Sequence, residues 1–164
     1  MEYPQFMRLV LLAGIPATGK STFGNWISRE KRFSHEDLER HQNHLEWLER
    51  KSARRFIDEL RAGRPDFILD WGFPPNDHYF AKVRGLLAAG MTPWWFDGDR
   101  EAAHANFLER GTVGGAAWDA QIAQIENRWG DIKEIFGANR IDVIGPDGTY
   151  QSCSEIYERM FGGA

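Results

Sequence analysis

A chain of 164 residues with 42% hydrophobic, 13% aromatic and 27% charged residues carries enough apolar material for one ordinary core and too little charge bias for disorder. Its formal net charge of −4 gives no diffuse attraction for nucleic acid or an anionic membrane, so a polyanion would need a local basic site. The single cysteine, Cys153, excludes an internal disulfide and a thiolate metal cage, and fits a reducing, cytoplasmic setting.

The first apolar run, Arg8 to Ala13, reads as a buried strand; it is far shorter than the roughly 20 residues a membrane span needs. No small-residue cleavage site follows, so a secretory leader is not expected. Directly after it comes Gly14-Ile15-Pro16-Ala17-Thr18-Gly19-Lys20-Ser21-Thr22, which fits G-x-x-x-x-G-K-[ST] between a strand and a helix over Lys20 to Arg29. The glycines let backbone amides curl around phosphate oxygens with no Cβ in the way, and those amides run into a helix N-terminus. Gly14, Ala17, Thr18, Gly19, Lys20, Ser21 and Thr22 are therefore the predicted nucleotide-binding residues. Lys20 would reach the β- and γ-phosphates, and the Ser21 hydroxyl would complete the shell of a bridging Mg²⁺.

Lys31 to Ser34 is expected as a short edge strand. Glu36 to Ala62 then reads as a helical stretch with an apolar stripe of Leu38, Leu45, Leu48, Phe56 and Leu60, breaking into two helices near Ser52. Its arginines pair in sequence with acids four residues away, such as Arg54 with Asp58 and Arg55 with Glu59, the pattern of a solvated face. Glu36 and Asp37 carry two readings. Either could be a base that orients an acceptor hydroxyl where the chain returns to the sheet, or both could be acids at the positive end of a helix starting near Ser34.

Phe67 to Asp70 is a strand closed by a carboxylate, which places Asp70 beside Ser21 as a metal group or makes it the first residue of the loop Trp71 to Pro75. Trp71 is expected in a pocket wall, Phe73 in either a pocket wall or the core, and Trp94 and Trp95, within the strand Thr92 to Phe96, in the core. Helices are expected at Asn76 to Ala89, Arg100 to Glu109, Trp118 to Phe136 and Ser154 to Met160, with a last strand at Ile141 to Ile144. Alternating helices and continuously apolar strands predict an α/β fold: a three-layer α/β/α sandwich with a mainly parallel sheet. One domain over residues 1–164 is expected, with a helical acceptor-side insertion at about 36–62 and a lid at about 110–128.

These residues resemble the small P-loop kinases of the nucleoside-monophosphate-kinase-like class, in the branch with polynucleotide 5′-kinases, gluconate kinases, chloramphenicol phosphotransferases and zeta-toxin-like enzymes. The resemblance runs over nearly the whole chain and rests on Gly14 to Thr22, Ser34 to Leu38, Ile68 to Asp70, and Phe96-Asp97 with the helix ending Glu109-Arg110-Gly111. It implies a P-loop NTPase fold with a short lid, and ATP- and Mg²⁺-dependent transfer of the γ-phosphate to a hydroxyl of a small molecule. It further implies that Lys20 and Ser21 hold nucleotide and metal, that Asp37 or Glu36 is the base, and that Arg110 closes over the phosphates, with Arg128 a second lid candidate. The chain departs from the pattern at Ala105-Asn106, where many relatives carry an additional arginine, and its connection Thr112 to Ala117 is short enough for a flap only. Two other readings stay open: a nucleotide-binding regulatory module without an acceptor, and a polynucleotide 5′-hydroxyl kinase, against which net acidity and the paired arginines weigh. The sequence sets no oligomeric state.

Overall fold

The structure, a computed structural model, describes residues 7–111 and 114–162. Its central strand β1 (Leu9–Gly14) is buried at every residue, which requires cover on both faces of the sheet and accounts for a run with no polar alternation. It pairs in parallel with β3 (Phe67–Asp70) on one side and β4 (Thr92–Gly98) on the other. The edges are β2 (Ser34–Asp37) beside β3 and β5 (Arg140–Ile144) beside β4, giving the order β2-β3-β1-β4-β5 with every pair parallel.

Parallel neighbours need crossovers, and helices supply them. α1 (Lys20–Lys31) leads to β2, α2 (Gln42–Arg50) and α3 (Ala53–Arg61) lead to β3, and α4 (Asp77–Ala88) leads to β4. α5 (Arg100–Glu109), α6 (Gly115–Asn127) and α7 (Trp129–Phe136) lead through a short 3₁₀ turn to β5, and α8 (Cys153–Phe161) closes the described chain. The expected α/β sandwich is the observed one, and the expected break near Ser52 is real: the Ser52 hydroxyl accepts from the Arg55 amide and starts α3. None of the described helices is long and apolar enough to cross a membrane.

Three boundaries differ from the sequence expectation. The edge strand is Ser34–Asp37 rather than Lys31 to Ser34, because Lys31 still belongs to α1 and Arg32 ends that helix in a left-handed conformation at φ 61°. No helix starts at Ser34; instead Ser34 to Asp37 pair in register with Phe67 to Asp70, and the first helix of the segment begins at Gln42. A neighbour's unpaired strand edge outweighs the weak strand preference of Ser-His-Glu-Asp. The stretch Trp118 to Phe136 is two helices, broken at Arg128 (φ −115°, ψ 20°). The break turns α7 so that Trp129 and Phe136 meet Trp95, with ring centroids 5.9 and 5.5 Å away.

Pro93 sits inside β4 without disrupting the ladder, because the pairing with β5 begins only at Trp95. Further along, Phe96 is fully buried and packs against Phe23 of α1 at 5.7 Å. Replacing Phe96 with Ala should cost about 3–5 kcal/mol, read as a lower urea midpoint with an unchanged slope.

Candidate functional site

The register of the sheet builds the site. Asp70 stands opposite both Leu12 and Asp37, and Gly14 stands opposite Phe96, so the C-terminal tips of four strands lie together. At Gly14 the backbones of β1 and β4 close up: a Cβ there would lie 2.2 Å from the Phe96 carbonyl oxygen, while the Ile15 amide donates to that same oxygen at 3.1 Å. Only glycine fits this exit from the strand.

From there the chain curls through left-handed positions at Ala17 (φ 62°) and Gly19 (φ 78°) into α1, whose N-terminus has no side-chain cap. Uncapped amides at a helix start are donors in want of an anion. The Thr18 hydroxyl and the Lys20 ammonium both donate to the Ile15 carbonyl at 2.9 Å, which folds the lysine back along the loop. From outside, the Tyr150 hydroxyl donates to the Ala17 carbonyl at 2.6 Å and accepts from Asn106 Nδ2 at 2.9 Å, tying the loop to α5.

Beside the loop, the Ser21 hydroxyl donates to Asp37 Oδ2 at 3.0 Å and lies 3.5 Å from Asp70 Oδ1. Asp70 is buried, and its other oxygen lies 2.5 Å from His35 Nε2. A hydroxyl flanked by two carboxylates is an oxygen set that suits Mg²⁺, which takes one or two carboxylates and leaves its remaining positions to water and phosphate. Together with the uncapped amides and a lysine ammonium that donates to a loop carbonyl, these residues fit a magnesium–nucleoside triphosphate. Ser21, Asp37 and Asp70 would hold the metal.

A cavity of about 440 Å³ opens over this cluster. Gly14, Ala17, Thr18, Gly19, Lys20, Ser21, Asp70 and Arg110 all line it; Thr22 faces away on α1. Trp71, Phe73, Trp95, Phe107, Ile125 and Ile132 form its apolar wall, with Gln121 and Gln124 of α6 as polar points. Trp71 thus stands where the sequence puts it, and Phe73 and Trp95 are each both core and wall.

Two of the expected site residues lie elsewhere. Glu36 points to the opposite face of β2 from His35 and Asp37, as the two-residue strand period demands, and its Oε1 is bound by His41 and His44. Arg128 is held by Asp77 at 2.5 Å and Asp131 at 2.9 Å, with its guanidinium 4.8 Å from the Phe80 ring centre. It therefore fastens the α6–α7 corner to α4. In the expected lid, Thr112 and Val113 lie outside the described residues; Arg110 and the inner face of α6 border the cavity.

The sequence reading missed Glu39. It lies in the loop between β2 and α2, accepts a hydrogen bond from the Gly72 amide at 2.8 Å, and lines the cavity. Reading Glu36 to Ala62 as helical hid it, and no local signal marks it. His35 precedes that stretch and has no recognisable ligand spacing in the sequence; the pairing of β2 with β3 sets it against Asp70. Desolvation holds the Glu39 carboxyl above its ordinary 4.5, although the Lys20 charge and the Gly72 amide pull it back. Burial likewise pushes the Lys20 ammonium down, and Glu39 and Asp70 only partly offset this.

Solved structures with the same architecture are kinases by name. A gluconokinase from Sinorhizobium meliloti 1021 superposes with a TM-score of 0.61 at 16% identity, over 97% of this chain and 92% of that one. A shikimate kinase from Bacteroides thetaiotaomicron gives 0.55 at 16% identity, over 93% and 94%. A sugar kinase from Janibacter sp. HTCC2649 gives 0.58 at 13% identity, over 95% and 93%. The fold is that of the P-loop small-molecule kinases. Neither protein-family models nor curated proteins match the sequence.

The lowered Lys20 pKa has a definite sign. Between the folded value and the ordinary 10.5 of an unfolded lysine, the unfolded chain binds more protons, so this group's contribution to stability rises with pH across that window. Urea unfolding over the alkaline range should show this rise in the parent chain and lose it in Lys20→Met.

Proposed function

We propose that this chain is an ATP- and Mg²⁺-dependent phosphotransferase that moves the γ-phosphate to a hydroxyl group of a small molecule. The observation that carries this reading is the juxtaposition of the phosphate loop, the Ser21–Asp37–Asp70 cluster and a cavity walled by aromatic side chains. A nucleotide sensor needs the first two features but no enclosed acceptor space. The names gluconokinase, shikimate kinase and sugar kinase among proteins of the same fold support a small hydroxylic acceptor.

The loop amides and Lys20 bind the phosphates; Lys20 leaves the Ile15 carbonyl for them, and its charge, disfavoured in the bare site, is stabilised there. Mg²⁺ would supply charge neutralisation on the phosphates. Ser21, Asp37 and Asp70 would hold it, with His35 orienting the Asp70 carboxylate from behind. Arg110, from the end of α5, faces the same space and can meet charge that builds on the transferring group.

Asp37 at the β2 tip and Glu39 just beyond it are engaged differently. Asp37 is engaged by Ser21 and by Arg40, whereas Glu39 faces the cavity with a carboxyl raised toward neutrality. Glu39 is the better base for an acceptor hydroxyl, since a proton acceptor works best with its pKa near the operating pH. The cavity sets the ring faces of Trp71, Phe73 and Trp95 beside polar groups of the loop and α6, a surface that suits a ring-shaped acceptor with its hydroxyl turned toward Glu39.

Purified protein with Mg²⁺ and ATP should release ADP only when a pool of sugars, polyols, nucleosides, aminoglycosides or amphenicols is added. Lys20→Ala should lower the rate by about 10³ or more, and Glu39→Gln by about 10²–10⁴ with ATP affinity kept. The rate should also fall as pH drops through the raised Glu39 value, above 4.5, and Glu39→Gln should remove that limb. Tight ATP binding with no pool-dependent ADP release would favour the nucleotide-binding regulatory module.

A further inference from the structure

On the side of β2 away from the phosphate loop, Glu36 stands at the edge of the core with its side chain about nine-tenths buried. His41 Nδ1 lies 2.7 Å and His44 Nδ1 lies 2.5 Å from the same carboxylate oxygen, Oε1. The three ligand-type atoms lie within 4.8 Å of one another. His41 precedes α2 as its N-cap residue and His44 lies in the first turn of that helix, so the two rings meet at the helix start. Their centroids are 4.9 Å apart.

A buried carboxylate ordinarily finds an arginine or lysine, because an ionised group taken out of water needs a compensating charge. Among the described residues, Glu36 forms ion-pair contacts only with these two imidazoles, which in their neutral form bring no charge. Two imidazole nitrogens and one carboxylate oxygen converging on a point are also the ligand set of three-coordinate protein sites for zinc. We propose that Glu36, His41 and His44 form a binding site for one Zn²⁺-class divalent ion. Zinc bonds of about 2.0–2.2 Å place tetrahedral ligands about 3.3 Å apart, so each imidazole nitrogen would draw back from Oε1 by about 0.6–0.8 Å to seat the ion. His41 is half exposed, which leaves an entry path and a fourth position for water.

Its position gives the ion a structural task. Glu36 belongs to β2, His44 belongs to α2, and the turn between them carries Asp37 and Glu39. Tying the two ends together fixes that turn from the side opposite the nucleotide. The ion is distinct from the one bound at Ser21 and Asp70, and softer donors select it: nitrogen ligands favour zinc where all-oxygen sets favour magnesium.

The test reads metal binding and does not depend on any phosphotransferase activity. The chain, stripped with EDTA and dialysed into excess Mg²⁺, is titrated with Zn²⁺ against a chromophoric chelator, with Co²⁺ absorption reporting coordination. One equivalent should bind and raise Tm. Affinity should fall at least about tenfold in His41→Ala and further in Glu36→Gln and His44→Ala, while His78→Ala and Asp70→Asn keep it. His41 is exposed enough that its replacement leaves the fold intact, checked by circular dichroism. Absence of a stoichiometric site, equal affinity in the Glu36 and His41 variants, or loss of binding in Asp70→Asn would overturn the proposal.

Discussion

The approach of β1 to β4 at Gly14 is the constraint on which the rest of this molecule depends. With no Cβ between them, the Phe96 carbonyl reaches the Ile15 amide, and the chain leaves the sheet along the one path that curls back over the strand tips. A side chain of any size would lift the loop off β4, and the amides at the start of α1 would lose their common focus. The aromatic layer beneath, with Phe96 against Phe23 and Trp95 against Phe136, keeps β4 where the loop needs it. Core packing and phosphate geometry are one problem here.

Around that loop the protein gathers three carboxylates, of which Asp37 is paired with Arg40. Asp37, Asp70 and Glu39 stand near one ammonium, Lys20, whose own charge is disfavoured by desolvation. Such an arrangement costs stability in the bare chain, a cost that the proposed nucleotide and its divalent cation would offset together. Hydrogen bonds from Ser21, His35 and Gly72 hold the carboxylates meanwhile. The site is prepared for a ligand of both signs.

Arg128 and Glu36 show how similar residues come to differ. Each is a charged side chain within one turn of the expected site, and each is turned away by a local device. Arg128 sits at a helix break where Asp77 and Asp131 capture its guanidinium. Glu36 sits one position along a strand from Asp37, and the pleat sends it to the other face, where His41 and His44 meet it.

What the sequence determined by itself was whatever depends on neighbours along the chain. The Gly14 to Thr22 turn, the parallel α/β class, the break at Ser52 and the carboxylate at the end of Phe67 to Asp70 follow from backbone sterics and apolar periodicity over a few residues. Tertiary structure alone decided the rest. Ser34 to Asp37 became a strand because β3 offered an unpaired edge, and that pairing turned Asp37 toward Ser21 and Glu36 to the other face, while the Gly72 amide holds Glu39 at the cavity from the loop beyond. Side-chain direction in a strand reverses at every residue, so a register set by long-range hydrogen bonds chooses the site's chemistry, and no local pattern carries that information.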